Sequence, residues 1–289
     1  MANAIKSIRT KLINEYTSED GVLLQIEERD TAGNILLQEQ YNDQGQVEQS
    51  ISRSFNEAGH LLEETHSSYG EDPHQRLVHH YDDQDKITKV DVHFLDGSIS
   101  YQQFTRNKEE RTVLIEVVDE DGELEGKEFR KFDDEGRTLV ETIHDDEGLQ
   151  KHVETQFDEH GRPLARKGQF ADGVEIDWQY QYEYNDKAQV IAASIQDVDG
   201  QLVRVERLSY DEAGNTSSHK VEDHKSGYGH IEHYEYDQNN RITRELKLAL
   251  NESPMEETLY TYREDGLLSS EEKRTPRGVF IHQYQYEFF

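Results

Sequence analysis

A chain of 289 residues carrying 31 Lys and Arg against 62 Asp and Glu has a formal charge of -31. That sign disfavours nucleic acid and anionic membrane as partners and suits a basic one, or serves solubility alone. The absence of cysteine excludes disulfide frameworks and thiolate metal sites.

Only 33% of residues are hydrophobic and the mean hydropathy is -0.99, a balance often found in disordered chains. Against disorder, the 16 Tyr and 10 Phe recur periodically and Pro numbers only 4. Periodic aromatics supply a buried face. No segment approaches the roughly 18 apolar residues of a membrane helix, and Met1 to Arg9 has no apolar signal-peptide core. The expected location is therefore the cytoplasm, with leaderless secretion left open.

In chain order, residues 1–15 read as a starting strand. The first aromatic-Asx-x-x-Gly-polar-aliphatic unit begins at Tyr41, with Gly45 and Val47, and the second at Phe55, with Gly59 and Leu61. Tyr81 opens a copy in which Asp85 replaces glycine. Asp tolerates the left-handed conformation better than most residues. Leu95-Asp96-Gly97 and Asp119-Glu120-Asp121-Gly122 are weaker turns at the half-period. Phe132 with Gly136 and Phe157 with Gly161 are full copies, separated by the turn at Asp145 to Gly148.

Trp178, Tyr180, Tyr182 and Tyr184 alternate with Asp177, Gln179, Gln181 and Glu183, the period of a half-buried strand, and this stripe is expected to be the best packed. The unit at Tyr184 carries Ala188 at the glycine position, so that turn is either strained or built differently. Tyr210 with Gly214, Tyr236 with Asn240, and Tyr262 with Gly266 complete the series. Residues 279–289 are strongly aromatic and read as an edge or capping strand that could dock.

From Tyr184 the anchors recur every 26 residues, so one period is two strands and two turns. The Asx residue suits the first position of a type I turn, and glycine the left-handed position of a G1 bulge. In that geometry Asp133 pairs with Arg137, and Tyr41 with Val47. Even spacings, such as Val47 to Phe55, place successive anchors on one face. The odd spacing from Ile87 to Phe94 predicts a bulge. The reading is an all-β antiparallel meander of hairpins in one continuous domain, 1–289. About 20 strands would span on the order of 100 Å if left open. Such a sheet can roll into a coil or shell, fold on itself, or pair with another chain.

Candidate chemistry is sparse. His79 and His80 face opposite sides of a strand, as do His230 and His233, so neither pair makes a joint ligand set. The Asp-x-Asp-Gly loops at Asp119 and Asp197 invite a calcium reading, but an EF-hand ligand series is absent and hairpin turns explain them better. No phosphate loop, nucleophile elbow or zinc-protease motif occurs. No catalytic residue, metal ligand or cofactor is expected.

The units at Tyr41, Phe55, Phe132, Phe157 and Tyr210 resemble the YD repeat of the Rhs-like bacterial proteins, and with the degenerate copies the resemblance covers residues from about 16 to 289. It implies hairpins coiled into a β-shell. The Pro- and Asp-rich self-cleavage core of that family is not found, and no toxin segment follows the repeats, so enclosure of a passenger is not expected. The implied function is a non-enzymatic protein-binding or scaffold module. The alternatives are an immunity protein that neutralises a basic toxin, or a self-assembling structural protein.

Overall fold

The computed structural model describes residues 4–14, 16, 17 and 20–289. The first three residues of the expected starting strand lie outside it, as does residue 15. The described residues form strands and turns only. The strands are β1 (Ile5–Ile13), β2 (Val22–Arg29), β3 (Ile35–Tyr41), β4 (Val47–Phe55), β5 (Leu61–Ser68), β6 (Gln75–Tyr81), β7 (Ile87–Phe94) and β8 (Ile99–Asn107). Next come β9 (Thr112–Val118), β10 (Leu124–Phe132), β11 (Thr138–Asp145), β12 (Gly148–Phe157), β13 (Pro163–Phe170), β14 (Glu175–Tyr184) and β15 (Val190–Gln196). The last are β16 (Leu202–Tyr210), β17 (Thr216–Asp223), β18 (Gly229–Tyr236), β19 (Ile242–Ala249), β20 (Pro254–Tyr262), β21 (Leu268–Thr275) and β22 (Gly278–Phe288).

Each strand pairs antiparallel with its chain neighbours, and β1 also pairs with β22, from Ile5↔Phe288 to Ile13↔Ile281. The 22 strands therefore close into a meander barrel with no free edge among the described residues. Residues 279–289 are not an edge: β21 lies on one side of β22 and β1 on the other. A perimeter of 22 strands, about 105 Å at ordinary strand spacing, is far more than side chains can fill. The burial agrees. The chain exposes 18467 Å², whereas a compact monomer of its mass would expose about 13,000 Å². Among the described residues only seven apolar side chains are buried, Val153 completely. Trp178, Tyr180 and Tyr182 are only partly buried and Tyr184 is 39% exposed, so the expected best-packed stripe is not the core.

The turns explain the meander. Asn42 N–H donates to Gln46 O (2.9 Å) and Gly45 N–H to Asn42 O (3.0 Å), a type I turn closed by a G1 bulge. The same pair of bonds recurs at Asp158, Asp211 and Asp237. Ala188 is built like the others, at φ 59, with Asp85 at 61 and Asn240 at 59. It is therefore a strained version of the common turn rather than a different one. At Phe132 the loop is one residue longer. Asp133 N–H reaches Thr138 O (3.0 Å), so Asp133 pairs with Thr138 and not with Arg137.

A second bulge follows the aliphatic residue. Tyr81 pairs with Ile87 and His80 with Lys89, leaving Thr88 as an extra residue, and this accounts for the odd spacing to Phe94. The device is general. Tyr41↔Val47 is followed by Gln40↔Gln49, and Phe55↔Leu61 by Ser54↔Glu63. The shift also follows Phe157, Tyr184, Tyr210, Tyr236 and Tyr262. Each bulge advances the alternation by one residue, so an even spacing across it changes face. Val47 and Phe55 consequently lie on opposite faces, contrary to the parity expectation. Tyr41 stands apart from Phe55, Tyr81 and the later anchors in both face and rim.

Candidate functional site

The 26-residue anchors gather at one rim, here the near rim, where the chain also closes by Phe289 N–H to Ala4 O (3.1 Å). They share one face of the sheet, here the tyrosine face, as successive registers from Phe55 to Tyr262 require. The ladder between neighbouring hairpins stops short of this rim because of the second bulge. Between β15 and β16 it ends at Ala192↔Arg207, and between β17 and β18 at Ser218↔His233. The carbonyl of the aliphatic residue is thereby left without a ladder partner, and a tyrosine hydroxyl from the next hairpin supplies one. Tyr81 donates to Leu61 O (2.8 Å), Tyr210 to Val190 O (2.7 Å), Tyr236 to Thr216 O (2.8 Å) and Tyr262 to Ile242 O (2.8 Å). Tyr182 does so for Pro163 (3.0 Å) and Tyr286 for Leu268 (2.8 Å).

Two of the three phenylalanine anchors, Phe132 and Phe157, stand where no such donor is needed. The β9–β10 ladder runs out to Lys131↔Thr112, and Phe132 N–H itself bonds Arg111 O (3.1 Å). Phe157 N–H likewise bonds Arg137 O (2.7 Å). At Phe55 the ladder also stops short, at Leu37↔Ser52, and nothing in the structure explains the missing hydroxyl there.

In four copies the residue after the left-handed turn position reaches the next hairpin of the rim. Arg162 lies 4.7 Å above the Tyr184 ring and Arg241 4.4 Å above Tyr262. His60 stacks on Tyr81 at 5.1 Å, and Gln189 Nε2 donates to Gly214 O (3.1 Å). Gly45, Gly59, Gly136, Gly161, Gly214 and Gly266 all hold positive φ, and all but Gly45 lie on this rim.

Deeper on the tyrosine face, charges knit neighbouring strands. Glu232 accepts from Tyr234 Oη (2.8 Å) and Lys247 Nζ (3.1 Å), with His230 Nε2 at 3.1 Å. Burial pushes the Glu232 carboxyl up, but the Tyr234 and Lys247 bonds hold it below the usual range. His219 Nε2 lies 2.9 Å from Glu206. Among the described residues no serine or threonine hydroxyl bonds this network. His79 and His80 do face opposite sides, since His79 pairs with Val90 and His80 with Lys89. Among the described residues no group of three or more His, Asp or Glu is placed to hold a metal ion. Asp119 Oδ1 instead accepts from Asp121 N (3.0 Å) and Glu123 N (2.7 Å), and Asp197 Oδ1 from Asp199 N (3.1 Å) and Gln201 N (2.8 Å).

The charge is unevenly distributed. Among described residues between strand ends, the far-rim turns hold fifteen Asp and Glu against two bases, Lys225 and Arg277. The near-rim turns hold eighteen against eight. Three of the eight near-rim bases, Arg162, Arg241 and Arg263, stand over tyrosine rings of the rim.

No family model matches the chain, and no curated protein matches it. Among solved structures, it is similar to a porin-like protein from Bacteroides uniformis at 11% identity and TM-score 0.33, with 99% of each chain covered. A porin-like protein from Bacteroides vulgatus is similar at 11% identity and TM-score 0.23, again with 99% of each covered. A chain of the Photorhabdus luminescens Tc holotoxin pore is similar at 12% identity and TM-score 0.31, where this chain covers 19% of that one with 88% of its own length. These likenesses are distant in both sequence and structure.

Proposed function

We propose that the chain is a non-enzymatic protein-binding shell whose partner is basic. The observation that carries this reading is the combination of a closed, largely unfilled barrel with turns so short of bases, fifteen acids to two on the far rim. A hollow sheet offers two faces and two rims for contact, and an excess of unpaired carboxylates steers and selects a cationic partner. The carboxylates and imidazoles of the tyrosine face bond one another across strands, with no nucleophile among them. This favours binding over catalysis.

A membrane-spanning barrel needs an outward apolar belt about 25 Å tall. The tyrosine face carries Arg53, Glu64, Arg204, Glu206 and Lys247 along its strands, and the opposite face Lys89, Asp91, Lys220, Glu222 and Arg244. Neither face suits lipid. Closure pairs every described strand on both sides, so assembly through a sheet edge is not proposed. Neutralisation of a basic toxin is the narrower form of the same reading.

The test is to co-purify the full chain with its bound proteins and rebuild any complex from pure components. A stoichiometric complex with a basic protein that holds at about 0.15 M salt and separates at about 1 M is expected. A chain that forms no such complex, or binds acidic and basic proteins alike, would contradict the reading.

A further inference from the structure

Behind the rim, the tyrosine face carries a second tier in which Tyr234, Tyr260 and Tyr284 on β18, β20 and β22 alternate with Glu245 and Glu271 on β19 and β21. The registers fix this order: Tyr234↔Glu245 and Tyr260↔Glu271, with Tyr284↔Thr10 across the closure. Among the described residues each carboxylate is held only by a long hydrogen bond from the next tyrosine. Tyr260 Oη lies 3.3 Å from Glu245 Oε2, and Tyr284 Oη 3.4 Å from Glu271 Oε2.

The lysines on this face are already engaged. Lys247 bonds Glu232 (3.1 Å) and Lys273 bonds Glu256 (2.7 Å). Glu245 and Glu271 thus have no cationic partner among the described residues, although both are half-buried. The rim tier differs in this respect, because Arg241 and Arg263 already stand over Tyr262 and Tyr286. At its β22 end the second tier opens into a cavity of about 420 Å³ at the closure, lined by Thr10, Gln25, Glu27, Arg29, Tyr284 and Tyr286. Burial first, and then the neighbouring Glu271 carboxylate, push the Tyr284 hydroxyl up to about 12.

We propose that Tyr234, Glu245, Tyr260, Glu271 and Tyr284 form a track for the cationic side chains of an extended basic segment of a partner protein. Aromatic faces and unpaired carboxylates together suit ammonium and guanidinium groups. Successive tyrosines are two strands apart, about 10 Å, and three residues of extended chain rise about 10 Å. A segment crossing the strands therefore presents one Arg or Lys per tyrosine when basic residues recur at every third position. This rests on the protein-binding reading above and names the surface and the spacing it uses.

The experiment titrates the full chain with two capped peptides of one composition at about 0.15 M salt. One carries Arg-Gly-Gly repeats and the other carries its arginines contiguously. The spaced peptide is expected to bind about fivefold more tightly. Combining Glu245→Gln with Glu271→Gln is expected to weaken it about tenfold and abolish the preference, with the circular dichroism unchanged. The near-rim pair Glu57→Gln and Glu212→Gln, both exposed at turns, removes the same charge and is expected to leave both affinities within about twofold.

Equal losses in the two double variants, or displacement of the spaced peptide by a neutral oligosaccharide, would overturn the track. Peptide binding indifferent to Glu245 and Glu271 removes the track and leaves the basic-partner reading standing. Failure of every basic peptide to bind at low salt removes both.

Discussion

At Tyr81, Tyr210, Tyr236 and Tyr262, and at Phe132 and Phe157, the choice between tyrosine and phenylalanine follows the local hydrogen-bond account. A tyrosine stands where the bulge has freed a carbonyl, and Phe132 and Phe157 where the ladder reaches the rim. A buried or half-buried carbonyl without a donor is costly, so the hydroxyl contributes more than its ring suggests. Tyr210→Phe should destabilise the chain by about 1 kcal/mol in urea unfolding, while Phe132→Tyr should give no gain.

Turn carboxylates act at the same scale. Asp82 is held below its usual range by the N–H groups of Lys86 and Gln84, and Asp237 by Arg241, through side chain and then backbone. A depressed carboxylate contributes stability that is present above its unfolded value and lost as pH falls through its folded one. The window therefore lies below about pH 4. Asn42, Asn56 and Asn185 accept the same turn bonds without titrating. In unfolding series over pH, Asp237→Asn should flatten the acid loss relative to the unchanged chain. An identical acid profile would contradict this account.

At the scale of the strand, the bulges decide which side chains meet. The turn chemistry could be read from the sequence because Asx and glycine have specific conformational reasons to sit where they do, and the cross-strand pairs Tyr41–Val47 and Phe55–Leu61 follow from it. The second bulge has no such marker. Its extra residue is Glu48, Leu62, Thr88 or Leu164 in different copies, and none of these demands an unusual backbone. A faint signal was present in the apolar doublets Ile35-Leu36, Leu61-Leu62 and Pro163-Leu164. The second member of each is exposed, at 37%, 39% and 43%, which fits a doublet serving both faces. The tyrosine caps were equally hidden, since they depend on how far the ladder runs between hairpins.

One glycine inside a strand does have a steric reason. A Cβ on Gly168 would stand 2.1 Å from His152 O and 2.7 Å from Val153 Cα, where β13 presses on β12 beside the fully buried Val153. Backbone cannot yield as a flexible side chain does. Gly168→Ala should cost about 3 kcal/mol or prevent folding, whereas Gly173→Ala, with nothing within 4 Å of its Cβ, should cost only the strain of its φ of 78.

For the whole molecule, closure is the property from which the rest follows. It removes sheet edges, leaves both faces accessible, and brings the chain ends together, so that β22 and β1 complete the second tier and its seam cavity. Strand number and repeat length could be estimated from the sequence, but closure could not. It depends on the summed twist and tilt of all the strands, and no single residue encodes that sum.

The most direct measurement uses the absence of native cysteine. Arg9 and Gln285 face each other across the β1–β22 seam. A chain carrying Arg9→Cys and Gln285→Cys should form an intramolecular disulfide under mild oxidation, seen as a monomer without free thiols by intact mass under non-reducing conditions. Free thiols that persist, or disulfide-linked dimers in place of monomers, would mean that the two ends do not meet and that the barrel is open.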